Sequence, residues 1–431
     1  MHSGKNLLAD EPTRHSSLFR HADFMKLWTG ETISEFGSKV GGVAIGFLAV
    51  ITLHATPAQM GTLAVWRMVP AILFSLFAGV WVDRLRRRPL MIAADLANII
   101  LLGSIPAAAM LGRLHIEQVY VVMFLTSFAD ILFSVSYRAY LPTLVGREAI
   151  VQANSILSAT EAVAEMGAFG LAGWLVQWLT APIAILTDSI SFVFSAIFLR
   201  LITTPEVAPM RRGDSRVARE ILDGARCITE DSRLLALASS AAVGAIAHGI
   251  FGTVYALFFI NELGFKPGPL GLIYATGGAA SLVGAAFSGR VASKIGVGRA
   301  MALGLAGMGA GYALVTFAHG AGPASIALLV GQQLLGDSVG TIYFVNQISV
   351  VQKIAPPQML GRAVAGMRFL SLGAGLVGAL GGALIGETIG LRYAILAGTV
   401  LLLIAAGIIV KTPIGEPELI EDESGISESV R

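Results

Sequence analysis

The chain has 431 residues, of which 55% are hydrophobic and only 13% charged, and its mean hydropathy is +0.74. A soluble domain carries about 25% charged residues, so a water-soluble globule is excluded. A net charge of +2 is too small to point to nucleic acid, and the single cysteine, Cys227, can form neither an internal disulfide nor a Cys-x-x-Cys centre.

The first 23 residues are polar and lack a short apolar core followed by a small-residue cleavage site, so no cleaved signal peptide is expected. Twelve apolar runs follow, at 25–53, 58–82, 90–111, 118–140, 150–178, 181–202, 234–261, 268–292, 299–318, 323–350, 358–386 and 391–410. Each is near the ~20 residues that a membrane-crossing helix needs. Transmembrane barrels instead show alternating segments of about ten residues. The chain therefore reads as an all-α membrane protein with twelve transmembrane helices in two pseudo-symmetric six-helix bundles.

Within this pattern 1–24 is an N-terminal tail and 25–202 the first bundle. The segment 203–233 is a linker, in which Val217, Ile221, Leu222, Ala225 and Ile228 recur at the spacing of an amphipathic surface helix. The second bundle is 234–410, and 411–431 is an acidic tail read as disordered. Basic residues gather after even-numbered spans: Arg84 to Arg88 after span 2, Arg138 and Arg147 after span 4, Arg211 to Arg233 after span 6, Lys294 and Arg299 after span 8. By the positive-inside rule these loops and both termini are cytoplasmic, in a cell (inner) membrane.

The halves also repeat. Gly79-Val80-Trp81-Val82-Asp83-Arg84 after span 2 has a counterpart about 210 residues later in Gly289-Arg290-Val291-Ala292-Ser293-Lys294. Pro142 to Arg147 and Pro356 to Arg362 follow spans 4 and 10 at nearly the same offset. Duplicated six-helix units are the plan of transporters whose halves enclose a site at the bilayer midplane.

The block Gly79-x-x-x-Asp83-Arg84-x-x-Arg87-Arg88 resembles the loop between helices 2 and 3 of the major facilitator superfamily. Ala139-Tyr140-Leu141-Pro142-Thr143-Leu144-Val145-Gly146-Arg147-Glu148, running into Gln152-Ala153-Asn154-Ser155, is similar to the branch that holds enterobactin exporters and macrolide-efflux pumps. The resemblance covers about residues 20–410 and implies that Gly79, Asp83, Arg84, Arg87 and Arg88 form a cytoplasmic gate that latches the two halves. Arg86 stands where the motif usually has Gly, and Ser293 replaces the acidic residue of the second copy, so the gate rests mainly on the first-half loop. Span 5 lacks the Gly-Pro step of many antiporters in that superfamily.

Glu31, Glu35, Lys39, Arg67, Asp130, Glu161 and Glu165 fall inside apolar spans of the first half. Unpaired at bilayer depth, seven such groups would cost about 20 kcal/mol, so they must face water or one another. Glu31, Glu35 and Lys39 share one helix face by their spacing of four, as do Glu161 and Glu165. The functional reading is a cavity lined by helices 1, 2, 4 and 5, in which Arg67 partners acids and a carboxyl group loads and releases a proton. The plainer alternative is an intrahelical Glu35–Lys39 pair and a Glu31 near the interface. Asp337 lies at close to the repeat offset from Asp130 and joins the candidate cavity. Gln332, Gln333, Asn346 and Gln347 read first as helix-to-helix contacts, and His248 as a structural histidine. Gly378, Gly382 and Gly386 read as a packing face.

The chain is thus expected to be a monomeric secondary transporter that exports a small amphipathic molecule (drug, macrolide or siderophore-like) by alternating access, coupled to proton influx. The alternative is a facilitator or importer on the same scaffold without proton coupling. Its partners are a small-molecule substrate and the lipid bilayer, with the proton as coupling ion and no other cofactor or metal. No His-Glu-x-x-His and no phosphate-binding Gly-x-x-x-x-Gly-Lys-Ser/Thr occurs, so neither an intramembrane enzyme nor a primary pump is indicated.

Overall fold

A computed structural model describes residues 18–82, 85–146, 148–206 and 217–412. Asp83, Arg84, Arg147 and most of both predicted tails lie outside the described residues. The first half holds α1 (Ala22–Phe47, continued by a π-helical turn Leu48–Thr52), α2 (Pro57–Val82), α3 (Arg87–Met110), α4 (Ile116–Val145), α5 (Ile150–Leu179) and α6 (Ala181–Leu201). After α7 (Val217–Glu230) come α8 (Ser232–Leu257, continued by a π-helical turn Phe258–Glu262), α9 (Pro267–Ile295) and α10 (Val297–Val315). Predicted span 10 is broken into α11 (Pro323–Gln332), a π-helical turn Gln333–Asp337 and α12 (Ser338–Ile354), followed by α13 (Leu360–Thr388) and α14 (Leu391–Val410). Among the described residues nine of these rods are long and apolar enough to cross a membrane; α2, α10 and the α11–α12 rod complete the twelve.

The ends of these helices are closed by identifiable groups. His21 caps α1, its Nδ1 accepting from Phe24 N at 3.0 Å. Asp231 caps α8 by accepting from Arg233 N at 2.8 Å, and the Arg233 guanidinium beside it holds its carboxyl below the usual range. Glu206 accepts from the free N–H groups of Arg87 and Arg88 at the start of α3, where the helix dipole favours an anion. Proline opens the first turn of α6, α9 and α11.

The duplication is visible in the backbone. The π-helical turns Leu48–Thr52 and Phe258–Glu262 sit at the same place in the first and seventh spans. Left-handed residues recur in matched pairs between the halves: His54 (φ 50°) with Gly264 (φ 75°), Gly112 (φ 64°) with Gly320 (φ 66°), and Thr180 (φ 88°) with Gly390 (φ 125°). Two of the three first-half positions carry a side chain where the second half uses glycine.

Each half packs largely on itself: α1 with α5 and α6, α3 with α4 and α6, α2 with α4, and in the second half α8 with α13 and α14 and α10 with α12 and α14. The α8–α13 contact depends on missing side chains. Gly378 and Gly382 lie against the backbone of Ile246 and Ile250, and Gly249 against that of Gly375 and Ala379. The packing role predicted for Gly378 and Gly382 therefore operates inside the second half, while Gly386 also meets Pro57 of the first. Across the halves α5 packs on α9 and α2 on α13. These contacts begin at one end, where Gly173 meets Pro267 and Gly271, Gly61 meets Ala383, and Ala58 N donates to Glu387 Oε2 at 3.2 Å, and continue to mid-helix, where Gly278 meets Met166 and Gly375 meets Met68. Toward the other end of α9, Gly289 faces open space.

Large apolar side chains such as Ile100, Met110, Leu384 and Val410 are exposed, while Asp95, Asn98 and Asp188 are buried, the inverse of a soluble domain. The helix α7 packs on α13 and α8, with Gly224 against the Arg362 backbone and Ile228 against Gly366.

Gly378→Val forces a branched side chain into the α8 backbone and lowers stability by about 1–3 kcal/mol, read as a fall in the thermal midpoint of the purified protein. Thr180→Gly relieves a β-branched residue from a glycine-only backbone region and raises stability by about 1 kcal/mol in the same measurement.

Candidate functional site: two cavities and a buried carboxyl cluster

The spacing of four that put Glu31 and Glu35 on one face of α1, and Glu161 on the corresponding face of α5, brings all three to one cavity of about 630 Å³ inside the first half. Tyr137 and Arg138 of α4 and Asn154 and Ser158 of α5 complete its polar wall. The Glu31 Oε2 and Tyr137 hydroxyl atoms are buried and have no hydrogen-bond partner among the described residues. One turn deeper, Lys39 Nζ stands between Glu35 at 3.4 Å and Glu165 at 3.9 Å. The intrahelical Glu35–Lys39 pair exists, but it is one arm of a bridge from α1 to α5.

A second cavity, about 620 Å³, lies between the halves. Met60, Leu63 and Met68 of α2 and Met123 of α4 face Leu305 and Phe344 of the second half across it. Its polar lining includes Arg67, His248, Gln347 and Ser371. Arg67 was expected among the acids, yet no carboxylate lies within 4 Å of its guanidinium among the described residues. The reason is the face of α2 that bears it, which turns to the cavity between the halves and meets α1 at Gly42 rather than at Glu31 or Glu35. Of the four amide side chains in span 10 only Gln347 lines this cavity. Asn346 donates to Ser288 Oγ at 2.9 Å and Gln333 to the carbonyl of Ile273 at 3.4 Å, both helix-to-helix contacts. His248, expected to be structural, is exposed to the cavity while its Nδ1 lies 2.8 Å from Gly244 O.

Asp130 lines neither cavity; its Oδ1 accepts from Asn98 Nδ2 at 2.8 Å, joining α4 to α3. Asp337 ends the π-helical turn and rests against Gly277 of α9, likewise outside both cavities. Two further acids belong to the interior and were missed in the sequence reading. Asp95 of α3 is fully buried, and neither carboxyl oxygen has a hydrogen-bond partner among the described residues. Asp188 of α6 is 3% exposed, accepts from Ser38 Oγ at 3.3 Å and fits against Gly37 and Gly41 of α1, where any side chain would collide with it. The same signal that selected the other acids, a charge inside an apolar run, points to both.

The candidate gate residues show a mixed picture. Gly79 lies in α2, and Asp83 and Arg84 are outside the described residues. Arg87 donates from Nη1 to Ala139 O at 3.0 Å, and Arg88 from Nε to Leu199 O at 2.7 Å, with a further bond to Arg200 O. These bonds tie α3 to α4 and α6 within the first half. Asp23 does similar work beside the same end of α6, accepting from the backbone N–H groups of Thr203 at 3.0 Å and Thr204 at 2.8 Å and from Lys26 at 2.7 Å.

Two duplicated helical bundles that meet around a shared interior cavity define a transporter of the alternating-access kind. The model of the Major Facilitator Superfamily matches residues 27–365 and 237–428, and the chain belongs to that family. It is 26% identical over 398 residues to an uncharacterized MFS-type transporter, YfiS, of Bacillus subtilis, covering 90% of this chain and 93% of that one. It is 25% identical over 249 residues to macrolide efflux protein A of Streptococcus pyogenes, covering 57% of this chain and 60% of that one. The fold is similar to that of a bacterial homologue of the iron transporter ferroportin in an inward-facing state, with a TM-score of 0.71 at 19% identity over 92% of this chain and 99% of that one. The chain is accordingly a multi-pass membrane transporter.

With Glu31, Glu35 and Glu161 set against Arg138 in its lining, the first-half cavity is expected to attract cations. Burial pushes the Cys227 thiol up, and with Cys227→Ser as background the variant Ser158→Cys should react about tenfold faster with a positively charged methanethiosulfonate reagent than with a negatively charged one, an electrostatic rate effect that falls as salt is raised. Equal rates would mean that the carboxyl groups do not set the potential there.

Proposed function

We propose that the protein exports a small amphipathic molecule by alternating access, driven by proton entry through the first-half carboxyl groups. The observation that carries this reading is the asymmetric seam. The halves touch through glycines from one end of α2, α5, α9 and α13 to their middles, and the cavity between them is apolar with few polar groups, as small-molecule sites usually are. The arginine-rich loops after even-numbered spans put the sealed end outside and the opposite end toward the cytoplasm. Cargo then enters from the cytoplasmic side, and rocking of the bundles transfers the seal from one end to the other. The likeness to a macrolide efflux protein supports the outward direction.

The carboxyl groups supply the coupling. Lys39 is shared by Glu35 and Glu165, so placing a proton on either acid hands the lysine to the other and changes the α1–α5 contact. Glu31 and Glu161 open on the cavity through which that proton would pass. A lysine that exchanges one acid for another forms a two-state element, and a gradient across the membrane biases a two-state element only if it binds its ion differently in the two states. Because α5 also forms one side of the seam with α9, rocking of the bundles would alter the α1–α5 contact and with it the proton affinity of the acids there.

A growth-inhibition panel of macrolides and other amphipathic compounds, run on cells with and without the gene, identifies a cargo. Accumulation of that compound is then measured with and without a protonophore. Export should keep internal levels several-fold lower in wild-type cells, the protonophore should abolish the difference, and a double variant Glu161→Gln, Glu165→Gln should match the deletion. Export that persists without a proton gradient overturns the coupling and favours a facilitator.

A further inference from the structure

The two cavities differ in charge, and the difference assigns a cargo chemistry. The acids line the first-half cavity, whereas the cavity between the halves has Arg67 and no carboxylate among its described lining residues. Asp130 is near enough for the charge of Arg67 to act on it, but its Oδ1 is engaged by Asn98 at 2.8 Å and it is not within 4 Å of the guanidinium. Gly42 stands opposite the Arg67 Nη2 and puts no side chain over it. A guanidinium without an ionic partner at bilayer depth is costly to keep; an anionic ligand removes that cost, and the planar fork of Arg suits carboxylate, sulfonate or phosphate oxygens.

The opposite wall adds a second requirement. A carbonyl oxygen only accepts, so His248 Nδ1, at 2.8 Å from Gly244 O, donates, and Nε2 is left as the ring's acceptor. Phe251 and Phe344 flank the ring at 6.5 Å and 6.0 Å between centroids. A ligand that meets both groups needs an acid group for Arg67, a hydrogen-bond donor for His248 and an apolar body for the methionines and leucines between them.

We propose that the cavity between the halves selects amphipathic organic anions, bound by Arg67 of the first half and His248 of the second. This rests on the transporter reading above and narrows it to a cargo class. Because the two groups belong to different halves, a bound anion bridges them, and cargo occupancy is felt by both bundles.

The test is equilibrium binding, with no gradient. Two fluorescent probes share a naphthalene, an aniline ring and an N–H donor and differ in one sulfonate: 8-anilino-1-naphthalenesulfonate and N-phenyl-1-naphthylamine. With signal from empty nanodiscs subtracted, the sulfonate should bind the full-length protein at least tenfold tighter than its neutral analogue. Arg67→Gln should reduce that preference to about one, Arg67→Lys should retain part of it, and His248→Phe should weaken both probes. Arg299→Gln, the same charge change at an exposed position in the first turn of α10, should leave the preference intact. Equal binding of the two probes by the unaltered protein overturns the proposal, as does a preference that survives Arg67→Gln or is lost in Arg299→Gln. If Arg67→Gln does not elute as folded protein, Ser371→Cys decides the matter in a Cys227→Ser background. A negatively charged thiol reagent should then label it at least threefold faster than a positively charged one, and equal or reversed rates overturn the proposal. A protonophore-insensitive export with the anion preference intact would refute only the proton coupling, and the converse only the cargo class.

Discussion

A body that presents hydrocarbon to lipid on its outside has to hide every charge inside, and inside there is little water to solvate it. That constraint organises this protein. Ile100, Met110 and Val410 are on the outer surface, and the interior holds Asp95, Asn98 and Asp188. Interior charges are met by three provisions: a partner such as Asn98 for Asp130, a recess such as the one Gly37 and Gly41 leave for Asp188, or a cavity such as the one that receives Glu31, Glu35 and Glu161. Asp95, with neither oxygen paired among the described residues, has none of the three.

Small residues carry the second theme. With lipid as apolar as leucine, helix contact gains from close backbone approach rather than from burying apolar area. The protein uses glycine for this inside a half, at Gly378 against Ile246, and between halves, at Gly173 against Gly271. The first kind of contact makes a bundle rigid. The second runs from one end of α5 and α9, at Gly173 and Gly271, to their middles, at Met166 and Gly278, and joins bundles that are each held by their own internal contacts. Residues such as Arg88, Asp23 and Arg392 reinforce the distinction, since Arg88 and Asp23 bond within the first half and Arg392 pairs with Glu262 at 2.9 Å within the second.

Separation of charge between cavities follows from helix faces. The stripes of α1 and α5 look into the first half, and the Arg67 face of α2 looks across the seam. The acids of the first-half cavity and Arg67 of the central cavity are thereby kept apart, which allows ion binding and cargo binding to be separate events in one molecule.

Much of this architecture was legible in the sequence. Length and hydropathy determined the number and place of the spans, because a bilayer of fixed thickness demands a fixed run of apolar residues, and the repeat offset seen in the loops reappears in the π-helical turns and in Thr180 and Gly390. Spacing of four determined that Glu31 and Glu35 share a face, and that Glu161 and Glu165 do. What spacing could not decide is which neighbour a face meets. The break of span 10 at Gln333–Asp337, the pairing of Lys39 with Glu165, the withdrawal of Arg67 from the acids and the exposure of His248 to a cavity all depend on how rods rotate about their axes and lean on one another. Helical periodicity settles the pattern along a rod; only tertiary packing settles the rotation that turns each stripe toward lipid, a neighbouring helix or water.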